Sequence, residues 1–377
     1  MLGNLQGRVH NKIYTLCSRA LRKRRLLALR FCSEEQLMAS HRMSCTTAMA
    51  LFIFFHYCIS STSAKYPMGV CYGMQGNNLP APVDVINLFR QYGIERIRIY
   101  DPNTDVLQAL KGSKLLVSLG VRNEDIPNLS RSQEAANSWV STFVSAYTPD
   151  VEFKYISVGN EVIPGENAQY VAQAIQNVHN ALAAAGIRTI KVSTVVAGVA
   201  LATSSPPSQG AFTSEAMSAM TLVVSVLSSM GSPLMVNVYP YFAYAADPAH
   251  ISLPFATFTA SSPPVHDGNL AYWNLFDAMV DAFYWATEKV GGTNVDIVVT
   301  ETGWPTAGNG NFTSPTLAQV YNTNLKNHVK NNGTPKRPSS QIDTYIFAMF
   351  NENLKQPGIE QNWGIFFPDK KPVYPLF

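Results

Sequence analysis

Disulfide chemistry is nearly excluded from this chain. Of its five cysteines, Cys17, Cys32, Cys45 and Cys58 precede residue 65, and Cys71 alone follows. One thiol cannot close an internal bridge, so no disulfide framework supports the body of the protein. Cys71 is expected to pack as a small buried side chain in the first strand. Charge is scarce as well, at 14% of residues. The formal net charge of +3 misleads, because residues 1–64 hold nine of the 28 Lys/Arg and two of the 25 Asp/Glu. The rest carries 19 basic against 23 acidic side chains, which excludes a broad electropositive surface for nucleic acid. The apolar run Ala48–Ile59 falls short of the roughly 20 residues that span a bilayer. No histidines show metal-ligand spacing. His250 and His266 lie in a Pro-rich stretch and read as loop residues, so neither a metal nor another cofactor is expected.

What the first 64 residues do have is the layout of a leader. Arg42 precedes the apolar run, and Ser60-Ser-Thr-Ser-Ala64 comes after it. Charged flank, short apolar middle and small residues describe a secretory signal peptide over 38–64, with cleavage expected after Ala64. Residues 1–37 form a basic extension containing Arg22-Lys23-Arg24-Arg25, of doubtful status. Met38 or Met43 are alternative starts, and an organellar transit peptide is the competing reading. Secretion agrees with three glycosylation triplets beginning at Asn128, Asn311 and Asn332. No long apolar tail follows Val373-Tyr-Pro-Leu-Phe377, so no lipid anchor is expected.

From residue 67 onward, apolar strand-like runs alternate with helix-like stretches. The strands are expected at Met68–Tyr72, Arg96–Tyr100, Leu115–Leu119, Tyr155–Val158, Lys191–Val196, Leu234–Tyr239, Ile297–Thr300 and Tyr345–Phe350. In 167–185, Val171, Ile175, Val178 and Leu182 keep helical spacing, and Gly186 supplies a stop. Phe276, Val280, Phe283 and Val290 do the same in 270–290, and 83–92, 134–146 and 215–230 read as further helices. Eight alternations without a linker predict a single (β/α)8 barrel over 65–377. An open doubly wound sheet is the alternative, but Gly69-Val-Cys-Tyr-Gly73 lacks the spacing of a phosphate-binding loop.

Two of these strands end alike. Tyr155-Ile-Ser-Val-Gly-Asn-Glu161 and Asp296-Ile-Val-Val-Thr-Glu301 each deliver a glutamate after a buried β-branched run. Sites in such barrels lie at the C-terminal ends of the strands, where Tyr100, Tyr239 and Glu352 also fall. Two carboxyl groups brought together from distant strands suit cleavage of a glycosidic bond. Tyr241, Phe242, Tyr244 and Trp304 are candidate rings for stacking on sugars, whereas Trp363, Phe366 and Phe367 lean towards the core.

Gly69-Val-Cys-Tyr-Gly73, Val158-Gly-Asn-Glu161, Val299-Thr-Glu-Thr-Gly-Trp-Pro305 and Phe350-Asn-Glu-Asn-Leu-Lys355 together resemble the plant endo-1,3-β-glucanases of glycoside hydrolase family 17. The resemblance covers 66–377. It implies a (β/α)8 barrel and retaining cleavage of 1,3-β-glucan, with a polysaccharide as partner. By motif position Glu161 resembles the general acid/base and Glu301 the nucleophile. Glu352 and Lys355 match a supporting acidic and basic pair. Asn160 is then placed to donate to the sugar 2-hydroxyl and Tyr239 to Glu301. A secreted monomer of the apoplast or cell wall is expected, rather than a vacuolar one. A glucan-binding wall protein without turnover and a β-glucan transglycosylase are the alternatives.

Overall fold

The computed structural model describes residues 68–377. The basic extension, the signal peptide and its cleavage point therefore lie outside the described residues. Twelve strands are present among the described residues: β1 Met68–Tyr72, β2 Arg96–Ile99, β3 Leu116–Val121, β4 Glu152–Asn160, β5 Lys191–Ala197, β6 Leu201–Thr203, β7 Ala211–Phe212, β8 Leu234–Asn237, β9 Val265–Asp267, β10 Leu270–Tyr272, β11 Ile297–Thr302 and β12 Thr344–Ile346. Eight form a closed parallel barrel in the order β1-β12-β11-β8-β5-β4-β3-β2. The open-sheet alternative is thereby excluded. Closure runs through β1 and β12, with Gly69 opposite Tyr345. β6–β7 and β9–β10 are two-stranded antiparallel additions. They hold His266 in a hairpin strand rather than the expected loop.

The helices follow from their apolar stripes. Helix Ala168–Ala184 buries Val171, Ile175, Val178 and Leu182, each worth about 1.5–3 kcal/mol against exposure. Helix Leu275–Lys289 starts where the Asn274 side chain accepts from the Asp277 N–H at 2.8 Å. Helix Pro315–Asn331 was not anticipated. Its buried residues Ala318, Tyr321, Leu325 and Val329 keep the 3–4 spacing, but asparagines dilute the pattern. Among the described residues no helix is long and apolar enough to cross a membrane.

Two irregularities aim side chains at the C-terminal rim. The β4–β5 register shifts between Ser157 and Asn160, and the β11–β8 register shifts between Val299 and Glu301. Such bulges kink a strand and re-aim the side chains beyond the kink. Each one here lies beside one of the two predicted glutamates.

Candidate active site

Glu301 is buried, and donors from three directions hold it. Arg98 Nη1 donates to Oε1 at 2.5 Å and the Tyr100 hydroxyl donates to the same oxygen at 3.0 Å. The Tyr239 hydroxyl donates to Oε2 at 2.7 Å. Arg98 has 1% exposure, so its charge needs partners. It finds them in Glu301, in the Thr300 carbonyl at 3.1 Å and in Asn160 Oδ1 at 2.7 Å from Nη2. Burial acts against the guanidinium, but the facing Glu301, through its charge and its hydrogen bond, outweighs it and keeps Arg98 charged. Burial lifts both tyrosines well above their usual range, so they remain neutral donors to the carboxylate.

Glu161 has a different setting. Gly159 has φ +79° and Glu161 itself φ +56°, a left-handed conformation that costs energy for a residue with a Cβ. Asn123 braces this turn. Its Oδ1 accepts from Asn160 N at 2.8 Å and its Nδ2 donates to Asn160 O at 3.0 Å. The Glu161 N–H still joins the ladder, donating to Val195 O at 2.9 Å. The side chain opens to the groove, with one anchor: Asn237 Nδ2 donates to Oε1 at 2.7 Å. Asn237 is in turn oriented by the Thr300 hydroxyl, which donates to its Oδ1 at 2.9 Å. Desolvation raises the Glu161 pKa, the Asn237 hydrogen bond opposes it, and the nearby Glu301 charge raises it further. One carboxyl is thus clamped by a cation while the other is pushed towards its protonated form.

Two cavities meet at this point and share Glu301 and Phe347. The first, about 440 Å³, includes Glu161, Tyr239, Phe242 and Trp363. The second, about 360 Å³, includes Tyr100, Asp101, Asn160, Glu352 and Lys355. In the second, Glu352 is buried, accepts from Gln75 N at 2.6 Å, and pairs with Lys355 Nζ at 3.1 Å. A Cβ on Gly73 would lie 2.6 Å from either Glu352 oxygen, so this close approach requires glycine. Lys355 also sits over the Phe347 ring at 4.2 Å. Its pairing with Glu352 therefore belongs to the groove and not to the outer surface.

The structure brings together Glu161, Glu301, Tyr100, Asn160, Tyr239, Glu352 and Lys355. Trp304 is the correction. It is fully buried, its indole N–H donates to Phe312 O at 2.9 Å, and its ring packs against Tyr241 at 5.2 Å and Tyr321 at 5.5 Å. It supports the floor beneath the groove and cannot stack on a sugar. Tyr241 is buried too, and Tyr244 packs on Trp304 and Phe312, which leaves Phe242 as the groove-lining ring of that group. Trp363 is buried as expected yet also borders the first cavity, and Phe367 is exposed where a core position was expected. Cys71 is buried, with its thiol pushed up to about 12 by burial. Arg98, Asn123, Asn237, Phe347 and Glu360, which also borders the first cavity, were missed. Among the described residues no group of three His, Cys, Asp or Glu is placed to hold a metal ion.

A closed barrel with carboxyl groups at its C-terminal rim defines the class as a barrel glycosidase. Residues 68–376 match the family described as glycosyl hydrolases family 17, and the chain belongs to that family. Similar proteins include a glucan endo-1,3-beta-glucosidase of Vitis vinifera, 46% identical over 87% of this chain and 96% of the relative. A lichenase of Hordeum vulgare is 48% identical over 82% of this chain and 97% of the relative. A solved plant β-glucan endohydrolase structure, 48% identical, superposes with a TM-score of 0.79 and covers 82% of this chain and 99% of that one.

Proposed function

We propose that this chain is a retaining endo-hydrolase of 1,3-β-glucosidic linkages in β-1,3-glucans. A single observation carries the reading: an ionic clamp around Glu301 and a desolvated Glu161 border one sugar-sized cavity. In the first step a Glu301 oxygen bonds to the anomeric carbon as the bond to the leaving oxygen breaks, and Glu161 gives that oxygen its proton. In the second step water attacks the anomeric carbon, its proton returns to Glu161, and Glu301 leaves as a carboxylate. Tyr100, Tyr239 and Arg98 hold and orient Glu301 for attack. Asn160 Oδ1 is held by Arg98, which leaves its Nδ2 to donate to the sugar 2-hydroxyl, a contact that strengthens in the transition state. Phe242 and Trp363 offer ring faces and edges to the chain on the Glu161 side.

The test is Glu301→Gln assayed on laminarin. Hydrolysis is expected to fall by more than about 10⁴-fold, in a variant that stays folded by circular dichroism but melts lower because the buried Arg98 loses its counter-charge. A rate near wild type would end the mechanism as stated, and a wild type that binds laminarin without hydrolysing it would favour the reading as a glucan-binding wall protein. Longer oligosaccharide products from the wild type would favour transglycosylation instead. The names of relatives of nearly equal identity differ, so product profiling on laminarin and mixed-linkage glucan decides the linkage. We further infer entry into the secretory route, on the strength of the leader at 38–64. N-terminal sequencing of the secreted protein should begin at Lys65.

A further inference from the structure

The division of the groove assigns its two halves. A glycosidic acid must stand beside the leaving group, and Glu161 borders only the first cavity. Glu301 borders both, so the second cavity receives the sugars on the non-reducing side of the bond that breaks. Most polar side chains of that half are already engaged. Tyr100 is committed to Glu301, Glu352 and Lys355 to each other, and Asn160 Oδ1 to Arg98. Asp101 differs. It directly follows Tyr100 and lines the cavity, and its backbone oxygen accepts from Asn103 N at 2.9 Å. Its carboxylate has no hydrogen bond or ion pair among the described residues.

We infer that Asp101 is a linkage-determining residue of the non-reducing half, accepting hydrogen bonds from the 4- and 6-hydroxyls of one glucose unit. This rests on the proposed glucanase reading and deepens it. An ionised carboxylate only accepts, and it has two oxygens, so it selects a pair of neighbouring hydroxyls. An internal glucose of a 1,3-linked chain keeps its 4- and 6-hydroxyls free together. In a 1,4-linked unit O4 is spent in the glycosidic bond and cannot donate. Asp101 therefore rewards 1,3-linked chain at its position and leaves an unpartnered acceptor against 1,4-linked chain.

The experiment compares kcat/KM on laminarin and on mixed-linkage 1,3;1,4-β-glucan for wild type, Asp101→Ala and Asp101→Asn, with melting temperatures alongside. Asp101→Ala should lose about tenfold on laminarin, mainly in KM, and stay within about twofold on the mixed polymer. The amide variant, which keeps the size and one acceptor, should fall between them. An equal loss on both polymers, or no loss on either, overturns the assignment. If the alanine variant does not fold, the amide variant carries the same comparison. Failure of the underlying reading looks different: the wild type would then hydrolyse neither polymer.

Discussion

Arg96 and Arg98 enter the barrel from the same strand, two residues apart, and each meets a carboxylate. Arg96 pairs with Asp343 at 2.6 Å near the N-terminal ends of the strands, and Arg98 pairs with Glu301 at 2.5 Å near the C-terminal ends. At the lower site Lys154 Nζ adds a contact at 2.5 Å and the Tyr155 hydroxyl one at 2.7 Å. Asp343 loses solvent there, but Arg96 and Lys154 more than compensate and hold its pKa below the usual carboxylate range. At the upper site Glu301 has one cation and two neutral tyrosines, and a second carboxyl lies nearby with its pKa driven up. Cavity size does not separate the two ends, since the lower opening, at about 470 Å³, is larger than either half of the groove. The difference is in what the carboxyl groups are free to do. Below, Asp343 has both oxygens engaged, one by Arg96 and the other by Lys154 and Tyr155. Above, one acid is clamped by a cation, the other has its pKa driven up, and the two share a cavity.

Substitutions can break that comparison. Glu161→Gln should lower kcat on laminarin by about 10³–10⁴-fold while leaving stability near wild type. Because Glu161 acts protonated and its pKa is raised, wild-type activity should decline as pH rises through that pKa, and the glutamine variant should lack this alkaline limb. Arg98→Lys should cost about 10²-fold in kcat, since an ammonium cannot reproduce the fork that joins Glu301 to Asn160. Asp343→Asn reverses the pattern. Activity should stay within about twofold, while denaturant titration shows a stability loss of about 3 kcal/mol from the lost charge of the buried Asp343 pair. The sign with pH comes from the lowered pKa. The Asp343 contribution is present above its ordinary value of 3.8 and is lost as pH falls through the folded-state value, so the variant should unfold less steeply in acid. Smallest, Tyr239→Phe removes one of three donors to Glu301 and should cost about tenfold in kcat with little change in melting temperature.

Much of the upper site was readable because strand ends are readable. Apolar strand-like runs marked all eight barrel strands, with boundaries off by a few residues, and the glutamates stood just past two of those runs. The Arg96-Ile-Arg-Ile alternation was also a signal, overlooked: two cations on one face of a buried strand demand two buried acids. Other features were not legible. The left-handed turn at Glu161 depends on Asn123, 38 positions earlier, and no local pattern announces it. Trp304 looked like a sugar platform because it lies close after Glu301 in sequence. The register shift in β11 turns the carboxylate into the groove, while Tyr241 and Tyr321 enclose the indole below it. The split at Phe347 arises from loops of different strands, and so does the unpaired state of Asp101.

The central claim is that Glu301 attacks and Glu161 assists from the other side of the scissile bond. Trapping the enzyme with a 2-deoxy-2-fluoro laminaribiosyl fluoride, with peptide mapping by mass spectrometry, tests it most directly. The account predicts one fluoroglycosyl adduct, on the peptide that carries Glu301. An adduct on another residue, or laminarin hydrolysis with inverted product and no adduct at all, would contradict it.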